Sequence, residues 1–179
     1  MKLIFIHGPA AAGKYTIGKL LSDAIGIPLF HNHLVVDVAK SLFEFGEPGF
    51  VAIRAEMWQV CFEEAAKAQK SIIFTFNPER TVSPDLIEKL IDIYQSKGGR
   101  VHFIELRCSD EAILERIDNE SRKQFGKLTD GALYREFKQQ GGFDFPALPK
   151  PLLSIDTEQQ TPEASVQMII QALQEQQAL

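Results

Sequence analysis

The amino-acid sequence predicts an α/β protein whose parallel sheet is covered by helices on both faces. Short apolar runs alternate along the chain with longer segments in which apolar residues recur at helical spacing. Runs such as 3–7 and 71–76 are apolar at nearly every position, which is typical of strands buried on both faces of a sheet. No internal repeat or linker interrupts this alternation, so residues 1–179 are expected to form one domain.

The predicted strands are separated from their neighbours by turn residues. They span residues 3–7, 27–30, 71–76, 101–106 and 152–155. Gly26 and Pro28 divide the first helix from the second strand, because glycine favours a left-handed cap and proline cannot continue a helix. Gly98 and Gly99 turn the chain into the fourth strand.

The predicted helices combine an apolar pattern of helical period with capping signals. They cover the segment after residue 13, residues 34–45, 50–70, 84–97 and 109–119, a short stretch that ends at residue 141, and the segment from residue 161 onward. Ser83 stands directly before Pro84, and Thr161 directly before Pro162, which is the preferred order of cap and proline at a helix start. Ser109 provides a similar cap for the fifth helix.

The composition excludes several classes of protein. The chain has 179 residues, a formal net charge of −5 and 45% hydrophobic residues. The negative charge disfavours a nucleic-acid partner, since neutralising phosphates requires a basic surface. No run approaches the roughly 20 apolar residues of a membrane span. Cys61 and Cys108 are too few for a disulfide framework and are expected to be buried thiols. We therefore expect a cytoplasmic protein without a membrane partner.

The segment after the first strand carries the signature of a phosphate-binding loop. It reads Gly8-Pro9-Ala10-Ala11-Ala12-Gly13-Lys14-Tyr15-Thr16 and leads directly into the first helix. Glycines let successive backbone N–H groups point inward, the helix N-terminus adds partial positive charge, and Lys14 adds a full charge. The spacing therefore predicts that this loop binds the phosphates of a nucleotide.

The loop departs from its pattern at the residue after the lysine. That position normally holds Ser or Thr, whose hydroxyl binds Mg²⁺, and here it holds Tyr15, which is too long for the same geometry. Thr16 is expected to reach an inner phosphate instead. The third strand offers Thr75 but no acidic residue as a metal partner. The sequence thus supports nucleotide binding more strongly than catalysis and leaves the metal ligands unassigned.

Three further segments extend the pattern of the phosphate loop. They are residues 105–117, residues 45–50 with Arg54 and Glu56, and residues 154–157 before the last helix. Over nearly its whole length the chain resembles small P-loop kinases of the shikimate kinase and nucleoside-monophosphate kinase type, especially shikimate-kinase-like proteins. The resemblance implies a five-stranded sheet in the order 2-3-1-4-5, ATP as the donor, and a mobile lid at about residues 119–142.

The resemblance also implies roles for three arginines. Arg54 is similar to the arginine that holds the acceptor carboxylate in shikimate kinases, which predicts an anionic, hydroxyl-bearing acceptor. Arg122 is expected to close over ATP and stabilise the transferring phosphoryl group, with Arg116 nearer the nucleotide. The alternatives are a solvated helix face for Arg54 and a solvated loop for Arg122 and its neighbours.

Two departures from shikimate kinases make shikimate an unexpected acceptor. The pair of acids after strand 2 is replaced by residues 30–33, FHNH, and the glycine-rich turn after strand 3 by residues 77–80, NPER. His31 and His33 are expected to contact the acceptor, with His33 or Asp37 at its hydroxyl and Asp37 as the base. A metal site formed by these three residues is an alternative, as is a capping or wall role for the histidines. Arg80 is a second candidate for the acceptor's anionic group.

The sequence leaves three functions open. The leading one is an ATP-dependent phosphotransferase for a small, anionic, hydroxyl-bearing metabolite, with Lys14, Arg122 and Asp37 at the reaction centre. A nucleotide-binding protein with little or no phosphotransfer is the second, because of Tyr15 and the missing acid. A nucleoside triphosphatase is the third, although no residue is evident that would position a water. The aromatic residues Phe43, Phe45, Phe50, Trp58 and Phe62 are expected to pack in the core.

Overall fold

The computed structural model describes residues 1–118 and 128–176 of the chain. Its strands are β1 (Lys2–His7), β2 (Leu29–His31), β3 (Ile72–Phe76), β4 (Arg100–Arg107) and β5 (Leu153–Asp156). The helices of these residues are α1 (Lys14–Ile25), α2 (His33–Lys40), α3 (Pro48–Lys67), α4 (Pro84–Gln95), α5 (Asp110–Ile117), α6 (Gly131–Gln139) and α7 (Pro162–Glu175). Strands and helices alternate along most of the chain, as the apolar pattern predicts.

The five strands form one parallel sheet in the order β2-β3-β1-β4-β5. β1 lies at the centre, where Phe5 pairs with Phe74 on one side and with Phe103 on the other. The short strands β2 and β5 are the two edges. The predicted α/β class, the number of strands and their order are therefore confirmed.

Side chains of the central strand alternate between two apolar cores, one on each face of the sheet. Leu3 and Phe5 belong to a core completed by residues of α3 and α4. Ile4 and Ile6 belong to a second core completed by residues of α1 and α7. All four side chains are fully buried, and burial of each contributes about 1.5–3 kcal/mol to stability. This two-sided burial explains why the strand is apolar at successive positions.

Several predicted elements have different ends in the structure, among them β2 and α2. β2 begins at Leu29 rather than at residue 27, because Pro28 has no N–H and contributes only its carbonyl oxygen, which accepts from the Ile73 amide. α2 ends at Lys40 rather than at residue 45. The Ser41 hydroxyl bonds back to a helix carbonyl, and the residues that follow form exposed turns.

The aromatic residues predicted for the core divide into two groups. Phe50, Trp58 and Phe62 are fully buried on α3, as expected. The prediction is wrong for Phe43 and Phe45, which lie in the turns after α2 and are 37% and 47% exposed. Among the described helices, none has the length and apolarity that a membrane crossing requires.

The prediction of two buried thiols is wrong for Cys61 and only partly met by Cys108. Cys61 is exposed on α3, whereas Cys108 is partly buried just after β4. Burial raises the pKa of the Cys108 thiol, so this thiol remains protonated at neutral pH.

Candidate active site

A cavity of about 1020 Å³ opens at the carboxyl edge of the sheet, which is where open parallel sheets bind ligands. The phosphate loop from Ala10 to Thr16 forms its middle. Because β2 and β5 are opposite edges of the sheet, the cavity has two ends. The β5 end is lined by Arg116, Thr157, Gln160 and Pro162. The β2 end is lined by Asn32, His33, Val36, Lys40, Phe45, Arg54 and Glu79.

The backbone of the phosphate loop has the conformation that its glycines predict. Gly8 has a φ of 144° and Gly13 a φ of 84°, values that residues with a Cβ rarely adopt. At Gly8 a Cβ would lie 2.2 Å from the carbonyl oxygen of Leu106, so a larger residue does not fit beneath the loop. Gly13 caps α1 without a side-chain hydrogen bond. Helix N-termini that begin in this way are anion-binding sites.

The ammonium of Lys14 lies against this loop. Its Nζ donates to the carbonyl oxygens of Gly8, at 2.8 Å, and Pro9, at 2.5 Å. The same Nζ is 3.5 Å from Oδ1 of Asn77, directly after β3. A phosphate oxygen is a stronger acceptor for an ammonium than a neutral carbonyl is. Lys14 is therefore placed to exchange these contacts for a phosphate.

Tyr15 connects the phosphate loop to the end of β2. Its ring packs edge-to-face on the imidazole of His31, with 4.9 Å between centroids. The His31 ring lies 6.2 Å from that of His33 at the start of α2. Tyr15 and Thr16 both line the cavity. Tyr15, the residue after Lys14, therefore makes an aromatic contact with His31, and the N-terminus of α2 lies close to the loop.

Arg116 and Thr157 form a fixed wall at the β5 end. The two terminal nitrogens of Arg116 donate to the hydroxyl and to the carbonyl oxygen of Thr157, each at 3.0 Å. These bonds hold the guanidinium plane at the cavity wall next to Gln160 and Pro162. Such a plane can stack on a heterocycle. The predicted place of Arg116 near a nucleotide stays a prediction, consistent with this position.

Arg54 lines the β2 end, but its guanidinium already binds a carboxylate. The residue is 1% exposed, and its Nη1 donates to Oε1 of Glu79 at 2.7 Å while its Nη2 donates to the Thr81 carbonyl oxygen at 2.6 Å. The guanidinium also lies over the rings of Phe50 and Trp58, 5.2 and 5.4 Å from their centroids. Burial lowers the pKa of Arg54, and Glu79 opposes that shift. The acceptor role of Arg54 stays a prediction. An acceptor anion would have to compete with the carboxylate of Glu79 for the guanidinium.

The carboxylate of Glu79 is satisfied on both oxygens. Oε1 accepts from Arg54 and from the Thr81 hydroxyl, and Oε2 accepts from the Thr81 amide. Glu79 is 6% exposed, so the pair is buried as a unit. Opposite charges this close make little net contribution to the potential of the cavity.

The cavity-facing side of α2 adds one polar group that is not predicted from the sequence, and the residue before the helix adds another. His33, Val36 and Lys40 are spaced at i, i+3 and i+7 and all line the cavity. Lys40 is exposed and makes no hydrogen bond or ion pair with the residues that the structure describes. The side-chain oxygen of Asn32 is buried, also without a hydrogen-bond partner in that part of the chain. The spacing of Lys40 from His33 is the signal that could have identified the lysine.

Aromatic residues cover the β2 end from above. Phe45 lies 6.2 Å from Phe137 of α6, and Phe137 lies 4.9 Å from Phe143, measured between ring centroids. All three line the cavity. Phe45 is thus a wall residue instead of the core residue that its apolar character predicts, because its turn lies at the mouth of the site.

Three residues predicted to contact the acceptor or to act as its base are not part of the cavity wall: His31, Asp37 and Arg80. His31 is 8% exposed, beneath the ring of Tyr15. Asp37 is exposed on α2. Arg80 donates to the carbonyl oxygen of Gln140 at 2.9 Å. Their acceptor and base roles stay predictions without a supporting contact.

The alternative of a metal site at His31, His33 and Asp37 is wrong. Within residues 1–118 and 128–176, no group of three or more His, Cys, Asp and Glu side chains lies close enough to hold an ion. His31 packs against the ring of Tyr15, and Asp37 is exposed on the helix.

The predicted lid is described only in part. Arg122 lies in 119–127, outside the described residues, so its role at the transferring phosphoryl group stays a prediction. α6, further along, is tied to α5 through Asp110, which accepts from the Tyr134 hydroxyl at 3.0 Å and from the Lys138 ammonium. The hydrogen bond from Lys138 lowers the pKa of Asp110 more than any other contact.

His7 is a buried titratable group directly before the phosphate loop. It is 7% exposed, and its Nε2 has no hydrogen-bond partner among the described residues. Burial lowers its pKa to about 4, Glu105 acts in the opposite direction, and Lys14 lowers it further. His7 is therefore neutral at pH 7 and leaves Lys14 as the cation of the loop.

Comparisons with known proteins match this architecture, although no family model matches the chain. An adenylate kinase from Corynebacterium urealyticum is 25% identical over 169 residues, which cover 88% of this chain and 91% of that protein. A shikimate kinase from Rhodococcus jostii is 36% identical over 62 residues, or 31% of this chain and 37% of the other. The chain is related to the P-loop kinases.

A solved P-loop kinase shows the same fold over the whole length. It is the Mycobacterium tuberculosis APS kinase in complex with AMPPNP and APS, which matches with a TM-score of 0.64 at 14% identity and 97% coverage of both chains. Together with the matches to the adenylate kinase and the shikimate kinase, this shared fold confirms the predicted resemblance at the level of the superfamily. For a P-loop kinase relative, the fold implies nucleotide binding, and its place at residues 8–16 stays a prediction.

Proposed function

We propose that the chain is an ATP-dependent phosphotransferase that acts on a small, hydroxyl-bearing metabolite. The observation that carries the proposal is the phosphate loop in the middle of one cavity of about 1020 Å³. Ligand pockets span about 300–1,000 Å³, so this cavity lies at the upper end of that range, as expected for a site that takes a nucleotide and a second molecule. Its two ends are lined by different groups, which suits two different ligands.

In this proposal the two ends hold the two reactants on either side of the loop. Lys14 and the loop amides bind the phosphates, and Arg116 binds the nucleotide at the β5 end. The acceptor oxygen forms a bond to the γ-phosphorus while the bond from that phosphorus to the β–γ bridging oxygen breaks and ADP leaves. The acceptor proton passes to a base, for which the candidate is His33, the cavity-lining residue at the N-terminal end of α2.

The residues fit ATP better than they fit a protein-bound Mg²⁺. The positive-φ glycines and Lys14 make an anion site. For Mg²⁺, the loop offers the hydroxyls of Tyr15 and Thr16, and β3 is followed by the neutral amide of Asn77. Mg²⁺ takes many of its ligands from phosphates and water. Bound with ATP, it would neutralise part of the negative charge of the phosphates. One neutral oxygen from Thr16 or Asn77 is compatible with that arrangement.

A nucleotide-binding protein without phosphotransfer is the second candidate. It is favoured by Tyr15, whose contact with His31 replaces the short hydroxyl of the usual motif. It is also favoured by the neutral Asn77 beside Lys14. Both features weaken the neutralisation of charge on the transferring phosphoryl group. Catalysis depends on this neutralisation more than nucleotide binding does.

The experiment is an assay of ADP release from Mg²⁺–ATP, with and without a panel of sugars, hydroxy acids and nucleosides. Mass spectrometry of the reaction identifies an acceptor that has gained a phosphoryl group. ADP release that depends on one acceptor and is lost in Lys14→Ala supports the kinase. ATP binding without turnover supports the second candidate, and ADP release without any acceptor indicates a triphosphatase.

A further inference from the structure

We infer that the acceptor is an elongated molecule whose anionic group binds Lys40, at the far end of α2, and not Arg54. The inference rests on the proposed phosphotransferase function and names the class of its acceptor. The reacting hydroxyl lies at the N-terminal end of α2, an apolar middle lies on the aromatic wall, and a carboxylate or phosphate ester lies at Lys40.

The charges at the β2 end lead to Lys40. Arg54 and Glu79 are joined at 2.7 Å and buried together, so they form a neutral unit. Asp130 also lines the cavity, but its carboxylate caps α6 by accepting from two backbone amides. Lys40 is a wall residue at this end with no internal partner in the described part of the chain. A cation of this kind, on the rim of a cavity, favours an anionic ligand.

The length of α2 sets the size of the molecule. The contact between Tyr15 and His31 places the start of α2 beside the phosphate loop, where the acceptor hydroxyl must lie. Lys40 follows His33 by seven residues on the same face, which corresponds to about 10 Å along the helix axis. A flexible lysine can fold back over part of that distance. The hydroxyl and the anionic group are therefore several ångströms apart, farther than in a 2-hydroxy acid.

The wall between these two points is apolar. Val36 lies between His33 and Lys40 on the helix face, and Phe45 and Phe137 face the same end of the cavity. Aromatic and aliphatic walls bind apolar or planar groups, and they offer few hydrogen-bond partners to a chain of hydroxyl groups. The middle of the acceptor is thus a ring or a hydrocarbon segment.

The experiment measures kcat/KM for hydroxy acids with increasing separation between hydroxyl and carboxylate, from 2-hydroxybutanoate to 4-(hydroxymethyl)benzoate and longer homologues. Each acid is paired with its neutral amide, and a second arm replaces the carboxylate by a phosphate ester. The variants are Lys40→Gln, the conservative Lys40→Arg, and the matched control Lys89→Gln, an exposed lysine on α4. The wild type should prefer long acids over their amides by about tenfold or more. Lys40→Gln should remove that preference through a higher KM, while Lys40→Arg retains it.

The outcomes separate the inference from the proposed function. If acids and amides are used equally, or if Lys40→Gln keeps the preference, the inference is overturned while the kinase stands. If no probe is phosphorylated, calorimetric binding of the same pairs in the presence of AMPPNP decides the inference on its own. Anion-selective binding that is lost in Lys40→Gln supports it even if the kinase fails. Absence of such binding overturns it. The carboxylate and phosphate arms show which anion is bound.

Discussion

The two ends of the cavity are built in different ways. The phosphate loop and the β5 end depend on backbone geometry, with glycines at positive φ and an arginine fixed by one threonine. The β2 end depends on side chains from α2, α3, α6 and the segment after β3, including an ion pair between residues 25 positions apart. The loop and the β5 end therefore depend mainly on local geometry, whereas the β2 end depends on contacts between segments that are distant in the sequence.

The largest expected effect on activity comes from a substitution in the phosphate loop alone. Lys14→Ala removes the cation at the phosphates, and kcat/KM for phosphotransfer should fall about 1,000-fold, equivalent to about 4 kcal/mol. The matched control is Lys19→Ala on α1, whose ammonium forms an exposed pair with Asp23. Steady-state kinetics with purified proteins measures both. Equal losses in the two variants would remove Lys14 from the reaction centre.

The second effect comes from a substitution that disrupts the β2 end of the cavity and leaves the phosphate loop intact. Glu79→Gln leaves the buried Arg54 guanidinium without its counter-charge, and the free energy of unfolding in urea should fall by about 3 kcal/mol. Glu64→Gln, which breaks an exposed pair with Lys67, should cost less than about 0.5 kcal/mol. ATP affinity should change little in either variant. A stable Glu79→Gln protein would show that the pair does not hold this end together.

The third effect tests the β5 end. Arg116→Ala removes the guanidinium held by Thr157, and ATP affinity should fall about tenfold to thirtyfold, or about 1.4–2 kcal/mol. Arg135→Ala, an exposed arginine on α6, is the control and should bind ATP normally. Calorimetry gives both dissociation constants. Unchanged affinity in Arg116→Ala would place the nucleotide away from this wall.

The smallest effect concerns the strand beneath the loop. The pKa of His7 is about 4 in the folded chain, below the ordinary value of 6.5, because of burial. Its contribution to stability is therefore complete above pH 6.5 and is lost as the pH falls toward 4. His7→Phe keeps an aromatic ring beside Phe5 and Phe103 but cannot be protonated.

Thermal unfolding of the wild type and His7→Phe between pH 7 and pH 4.5 measures this contribution. The variant should lose less stability than the wild type, by about 1 kcal/mol at pH 5.5. Part of the acid sensitivity should remain in the variant, because burial also lowers the pKa of His102. Identical pH profiles would show that His7 does not titrate as a buried group.

The sequence predicts the backbone features of the molecule well. The apolar strands and the loop from Gly8 to Thr16 depend on local patterns, and the sheet order follows from the family resemblance. The side-chain partners of the β2 end depend on contacts between distant segments. Arg54 looks like a ligand-binding arginine until the fold brings Glu79 to it. Lys40 looks like an ordinary surface lysine until its helix face meets the cavity. Phe45 looks like a core residue because the sequence pattern extends the second helix to residue 45. In the structure α2 ends at Lys40, so Phe45 lies in an exposed turn instead.

The most direct test of nucleotide binding at the phosphate loop is a calorimetric titration of the wild type, Lys14→Ala and Lys19→Ala with ATP, each with and without Mg²⁺. We expect the wild type and Lys19→Ala to bind one ATP with the same affinity, stronger with Mg²⁺, and Lys14→Ala to bind at least tenfold more weakly. No binding by the wild type, or equal binding by Lys14→Ala, would contradict a nucleotide site at residues 8–16.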